Sequence, residues 1–165
     1  MTSSLYDTDI LTWSEVQAAL LRRLAAGERL NDAIDWPNVI EELESLGRSD
    51  LKSCTSLLRQ ALIHLLKIHA EPGSSAVRHW RGETAGFLIE VRDAYTPSMR
   101  QHIDLDALYS SAIYRFRAGA PAKAREAPVS PTCPHTLDDL LAHEPDIDAL
   151  AARLTPCPTP TTPTS

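Results

Sequence analysis

Residues 36–70 read WPNVIEELESLGRSDLKSCTSLLRQALIHLLKIHA and decide the fold. Apolar side chains recur there every three or four residues, which is typical of one face of an α-helix. Pro37 is tolerated in the first turn of a helix, and Asp35 is a suitable cap before it. The pattern predicts one helix over 36–70. Glycine is a poor helix former, so a kink or a break at Gly47 is the alternative to a continuous helix. The apolar stripe consists of Val39, Ile40, Leu43, Leu46, Leu51, Cys54, Leu58, Leu62, Leu65 and Ile68.

Three further segments show the same helical periodicity. Their apolar residues predict helices over residues 11–26, 76–94 and 97–118. Thr12 or Ser14 is expected to cap the first of these helices, and Gly27 to end it. No segment alternates apolar and polar residues as a half-buried strand would. The sequence therefore predicts an all-α fold, an up-and-down bundle of four main helices.

Prolines set the C-terminal region apart from this bundle. Of the 12 prolines, only Pro37, Pro72 and Pro97 precede residue 120. Short C-terminal helices are expected after Thr136, which starts a capping-box-like Thr-Leu-Asp-Asp, and within 146–154. We predict a single domain over 5–154 followed by a disordered Pro/Thr tail. Within it, the core helices would occupy 11–118 and a C-terminal clasp 121–154, and the tail would occupy 155–165.

Composition narrows the functional class. The chain has 165 residues, 43% of them hydrophobic, and a formal net charge of -6. An acidic chain is a poor electrostatic match for nucleic acid or an anionic membrane. No apolar run is long enough for a membrane span, and Cys54, Cys133 and Cys157 show no metal-binding spacing. We expect no signal peptide, because residues 1–7 contain neither a basic nor a long apolar region. We expect a cytoplasmic protein without a membrane or nucleic-acid partner, and we predict no cofactor.

An acidic cluster lies in the first half of the predicted 36–70 helix. Glu41, Glu44 and Arg48 share one helix face because they are three and four residues apart. Three interpretations are open: a solvated face, a polar network that joins Asp9 and Trp13 of the preceding segment to this helix, or a metal site in which Glu41 and Glu44 act with His64. The metal interpretation is weakened by the lack of a Glu-x-x-His motif.

A second cluster lies near the end of the same helix. His64 and Lys67 are one turn apart and are candidates for anion binding or general base catalysis, against a purely structural His64. Arg59 and His64 fit the Arg-x4-His spacing that resembles helical ribonucleases of the HEPN class. Residues five apart are about 140° apart around a helix, which disfavours a shared catalytic face.

A third set of candidates, His79, Trp80 and Arg81, begins the 76–94 helix. Trp80, like Trp13, is expected to pack in the core. The alternative is a candidate partner surface formed by these three residues, because tryptophan and arginine are common in binding hot spots.

Several segments together resemble DUF29, a bacterial family of helical domains of unknown function. The resemblance implies an α-helical bundle from a bacterial cytoplasm and implies no activity. One departure is His135, which stands where the resemblance leads us to expect an aromatic residue such as tryptophan. The matching segments are Leu5-Tyr6-Asp7 with Asp9 and Trp13, 39–49, His64-Leu65-Leu66-Lys67, Trp80-Arg81, 96–100 and 133–141.

The function that we favour from the sequence is an interaction or accessory module without catalysis, with a protein partner or a second copy as its ligand. The surface around Trp80 or the short C-terminal helices would bind that partner. The alternatives are a small metal- or anion-binding bundle that uses Glu41, Glu44, His64 and Lys67, and an Arg-x4-His ribonuclease-like protein.

Overall fold

A computed structural model describes residues 4–156 of the chain. All its regular structure is helical, and no strand occurs within those residues, which confirms the all-α prediction. The four long helices are α2 (Ile10–Ala25), α3 (Trp36–Ala70), α4 (Val77–Ala94) and α5 (Leu105–Gly119). The short helices are α1 (Leu5–Thr8), α6 (Ala122–Arg125), α7 (Leu137–Leu140) and α8 (Ile147–Ala152), with 3-10 turns at Asn31–Ala33 and Pro97–His102.

The chain divides into two compact units between Ser49 and Asp50. Unit 1 is the part up to Ser49, and unit 2 is the part from Asp50 onward. Helix α3 contributes residues to both units. The single domain over 5–154, with core helices at 11–118 and a clasp at 121–154, stays a prediction. The predicted tail at 155–165 lies outside the described residues except for Thr155 and Pro156.

The ends of α2 follow its capping residues. Asp9 caps the helix, because its carboxylate accepts hydrogen bonds from the Thr12 backbone N–H at 3.0 Å and from the Thr12 hydroxyl at 2.7 Å. The prediction of Thr12 or Ser14 as the cap is therefore wrong. Gly27 follows the last turn with φ 94, which glycine adopts without steric cost, as the sequence predicted.

Helix α3 has the predicted bounds and runs through Gly47 without a break. The predicted helix over 97–118 is wrong in its first part. A 3-10 turn occupies Pro97–His102, and α5 begins only at Leu105. Asp104 caps α5, since its carboxylate accepts a hydrogen bond from the Ala107 backbone N–H at 2.9 Å.

Unit 1 has a small core. Among the described residues of unit 1, Trp13, Ile34 and Val39 form the buried apolar cluster, with Tyr6 and leucines of α2 packed against them. The Trp13 indole N–H donates to the Asp35 carboxylate at 3.1 Å, and the Tyr6 and Trp13 rings meet edge to face at 4.9 Å. These contacts fix α1 and α2 against the start of α3.

Unit 2 has a much larger core around the second half of α3. Cys54, Leu58, Leu62 and Leu65 are fully buried there. The main buried contributions from the other elements are Leu88 and Val91 of α4, Tyr109 and Ala112 of α5, Leu140 of α7, and Leu150 and Leu154 at the C-terminal end.

The C-terminal elements attach to this core through backbone contacts as well. Tyr109 donates its hydroxyl hydrogen to the Ser130 carbonyl at 3.1 Å, and Ser130 N–H donates to the Leu154 carbonyl at 2.8 Å. The capping box predicted at Thr136 is present, with Asp139 as the reciprocal partner. None of the helices in residues 4–156 has the length and apolar character needed to cross a membrane.

Candidate interaction site

An apolar strip lies on the surface of α3 in unit 1. Ile40, Leu43 and Leu46 are 52%, 66% and 62% exposed, although the helical stripe of the sequence predicts apolar packing for them. Ile40, Leu43 and Gly47 are three and four residues apart and therefore lie on one line of the helix. We call Ile40, Leu43, Leu46 and Gly47 the α3 face. Val39, beside this line, is the stripe residue of unit 1 that is buried.

Gly47 has no role within the described chain that requires glycine. A Cβ built at Gly47 meets nothing within 4 Å, and its φ is that of an ordinary helical residue. Glycine within a helix costs about 1 kcal/mol relative to alanine. The α3 face therefore carries three exposed apolar side chains beside an open position with no side chain.

Charged residues flank this face. Glu44 and Arg48 form an exposed ion pair at 3.4 Å across one helical turn, and Glu41 is exposed. Asp9, the fourth member of the predicted network, caps α2 through Thr12, and those hydrogen bonds lower its pKa. Of the network Asp9, Glu41, Glu44 and Arg48, the contacts in residues 4–156 bring together only Glu44 and Arg48.

Polar contacts that sequence reasoning missed hold α1 and α2 to α3 in unit 1. The Tyr6 hydroxyl donates to Glu42 at 2.7 Å, and this hydrogen bond raises the pKa of Tyr6 to about 12. Asp35 accepts from the Asn38 side chain at 2.7 Å and from Trp13, which lowers its pKa, chiefly through Asn38. The sequence partly indicated these contacts, because Tyr6, Trp13 and Glu42 all lie in the segments that resemble DUF29.

In unit 2, His64 is held between two oxygen atoms. Its Nδ1 lies 2.9 Å from the Gln60 carbonyl, and its Nε2 lies 2.7 Å from Glu83 Oε2. The other carboxylate oxygen of Glu83 lies 3.4 Å from His79 Nε2. His64 is 7% exposed. Sequence reasoning missed Glu83, for which the one local signal is its position four residues after His79.

The other predicted catalytic residues lie in different surroundings. Arg59 has a buried Nε without a hydrogen-bond partner in residues 4–156. Lys67 places its Nζ 5.8 Å from the centre of the Trp80 ring, a cation–π contact.

The predicted partner surface on α4 is partly used inside unit 2. Arg81 Nε binds Asp148 of α8 at 2.8 Å, and half-buried Trp80 packs against the core. His79 is largely exposed apart from its contact with Glu83.

The predicted metal ligands do not form a recognisable centre. In residues 4–156, no group of three or more His, Cys, Asp or Glu side chains is arranged to hold a metal ion. Glu41 and Glu44 belong to unit 1, and His64 belongs to unit 2.

His135 is a buried polar residue that the sequence marked only as a departure from the family pattern. It is 4% exposed, and neither ring nitrogen has a hydrogen-bond partner in the described part of the chain. Burial and the nearby Arg153 lower its pKa. The ring is therefore neutral in the folded protein at pH 7 and packs as an aromatic residue would.

These features define a helical domain with an exposed apolar helix face, and the comparisons with known proteins give its family. The profile of the domain of unknown function DUF29 matches residues 5–144, so the chain belongs to the DUF29 family, as the sequence segments predicted.

A solved structure supports the same fold. It is an alpha-helical protein of unknown function from Rhodospirillum rubrum ATCC 11170, determined at 1.45 Å resolution. The two chains are 31% identical with a TM-score of 0.69, and the match covers 93% of this chain and 99% of that one. A comparison with curated proteins found no match.

Proposed function

We propose that the protein is a helical interaction module that pairs with a second copy of itself through the α3 face. The observation that carries this proposal is the exposed line of Ile40, Leu43 and Gly47, with Leu46 beside it. Apolar positions at i, i+3 and i+7 form the narrow seam along which two helices associate. Such a seam favours a partner helix rather than a small ligand.

Burial of the α3 face in a dimer would contribute a sizeable favourable free energy of association. Each of its three large side chains leaves at least half of its surface exposed in the single chain. Full burial of a leucine or isoleucine contributes about 1.5–3 kcal/mol, so roughly half of that remains to be gained at each position. A two-fold interface doubles the sum, which offsets the entropic cost of association.

Gly47 suits the close approach of a second helix. Glycine at a helix crossing lets two backbones come near and receives a large side chain from the partner. In an antiparallel pair that crosses at residue 45, Leu43 of one copy faces Gly47 of the other. The glycine, which has no role in the single chain, gains one at this interface.

Charge favours the antiparallel direction. Glu41, Glu42 and Glu44 precede the crossing point, and Arg48 follows it. A parallel pair would set the three glutamates against their own copies, whereas the antiparallel pair places Glu44 of one copy near Arg48 of the other. The interface therefore complements itself in charge as well as in shape.

The experiment is light scattering with size-exclusion chromatography on the full chain and two variants. Leu43→Glu places a charge at the centre of the α3 face, and Tyr114→Glu is the matched control on a side chain that is 77% exposed on α5. We expect the wild type and Tyr114→Glu to elute as dimers and Leu43→Glu as a monomer with unchanged helical circular dichroism. A monomeric wild type, or a dimer that survives Leu43→Glu, would overturn the proposal.

The cytoplasmic location and the absence of catalysis are part of the same proposal. Cys54 and Cys133 are free thiols, in keeping with a reducing compartment. Within unit 2, His64 is 7% exposed and lies between the Gln60 carbonyl and Glu83, which favours a structural role over ribonuclease chemistry.

A further inference from the structure

A cleft in unit 2 lies between the second half of α3, the start of α4 and the end of α5. Its volume is about 320 Å³, large enough for a small organic molecule. Ile63 and Phe116, both largely buried, and the indole of Trp80 supply its apolar lining. Gly119, Ala120 and Pro121 also line it.

The charged residues of the cleft are unbalanced. Lys67, Arg115 and Glu71 line it, which gives two positive charges and one negative charge. Neither Lys67 nor Arg115 forms an ion pair within the described part of the chain, whereas Arg81, Arg100 and Arg153 of unit 2 each bind an aspartate. A net charge of +1 in a concave apolar site of an otherwise acidic protein attracts a monoanion.

Lys67 is already positioned for this role. Its ammonium group lies over the Trp80 ring, 5.8 Å from the ring centre. This contact restricts the lysine side chain before a ligand binds, so less side-chain entropy is lost on binding. The same indole offers apolar surface to the rest of the ligand.

We propose that this cleft is a binding site for a small aromatic monocarboxylate. Lys67 and Arg115 hold the carboxylate, and Trp80 with Phe116 packs against the ring. Arginine presents paired N–H donors that match a carboxylate, and lysine adds a point charge. The site lies in unit 2 and does not depend on the pairing of the α3 face in unit 1.

The test is isothermal titration calorimetry with three probes. Benzoate carries both the ring and the carboxylate, acetate carries only the carboxylate, and benzyl alcohol carries only the ring and a hydroxyl. We expect saturable binding of benzoate with one site per chain and at least tenfold weaker binding of acetate and benzyl alcohol. Absence of benzoate binding, or equal binding of acetate, would overturn the proposal.

Variants assign any binding to the cleft. Lys67→Gln and Arg115→Gln should each weaken benzoate binding at least tenfold, and Arg117→Gln, on the same helix but outside the cleft, should leave it unchanged. Thermal melts check that the variants are folded. Benzoate binding that all three variants retain would place it elsewhere and contradict the assignment, whatever the oligomeric state of the protein.

Discussion

His64 Nε2 and Glu83 Oε2 lie 2.7 Å apart, and they join α3 to α4 inside unit 2. The opposite ring nitrogen, Nδ1, faces the Gln60 carbonyl at 2.9 Å, so both ring nitrogens of His64 have an oxygen atom within hydrogen-bond distance. His64 is only 7% exposed, so this contact involves a nearly buried polar atom. Loss of the Glu83 carboxylate leaves the nearly buried Nε2 of His64 without a partner.

Removal of the Glu83 carboxylate should lower the free energy of unfolding. We expect Glu83→Ala to cost about 1–3 kcal/mol, the penalty for a buried donor without an acceptor. Glu90→Ala is the control, because Glu90 is an exposed glutamate on the same helix and the change in helix propensity is identical. Urea unfolding followed by circular dichroism measures both, and equal stability of the two variants would show that the pair contributes little.

His135 should make the protein less stable in mild acid. Its pKa is lowered in the folded state by burial and by Arg153, so the unfolded chain binds its proton more readily. The contribution of neutral His135 to the free energy of unfolding is therefore fully present above the unfolded pKa of about 6.5. It decreases as the pH falls below that value, by at most about 1.4 kcal/mol per pH unit.

His135→Phe tests this origin of the acid sensitivity. The substitution keeps an aromatic ring in the cavity and removes the titratable group, so we expect a shallower loss of stability between about pH 6.5 and 5. His143→Gln removes an exposed histidine and should leave the slope as in the wild type. The idea fails if the melting temperatures of wild type and His135→Phe fall in parallel with pH.

Asp35 should contribute to the stability of unit 1. It accepts hydrogen bonds from Trp13 and Asn38, and its own backbone N–H donates to Gln17 at 2.9 Å. Asp35→Ala leaves the buried Trp13 N–H without its acceptor and should cost about 1–3 kcal/mol, whereas Asp32→Ala changes an exposed aspartate three residues away.

Hydrogen exchange shows which part of the chain loses stability in Asp35→Ala. Because three buried residues form the apolar core of unit 1, its amides should exchange faster than those of the unit 2 core in the wild type. In Asp35→Ala the amides of α2 should exchange faster still, with no change in α5. Uniform exchange across both units would contradict this account.

The sequence predicted local structure better than it predicted exposure. The bounds of α3 follow from the spacing of its own apolar residues, which is local information. The same stripe could not show that Leu58 is buried and Leu43 exposed, because exposure depends on which other helices reach each part of α3. Asp104 shows a local signal that was outweighed, because Pro97, which suits the first turn of a helix, predicted an earlier start.

The polar sites were less predictable for the same reason. His64 was a candidate from the sequence, but its partner Glu83 lies on the next helix, and only the packing of α3 on α4 brings them together. Asp9 was assigned to a network with Glu41, whereas its nearest donors are in its own turn, which short side chains such as aspartate favour. Contacts within one turn can be read from spacing, and contacts between helices require the fold.

Sedimentation equilibrium of the wild type and Gly47→Ala shows whether the α3 face binds a second copy. An added Cβ at Gly47 meets nothing within 4 Å in the single chain. Alanine should therefore raise the free energy of unfolding of the monomer by about 1 kcal/mol, the difference in helix propensity. At the proposed crossing point it should instead weaken the dimer at least tenfold. Weaker association with a more stable monomer is the predicted result, whereas a wild type that stays monomeric, or a Gly47→Ala variant that dimerises as tightly as the wild type, would contradict the claim.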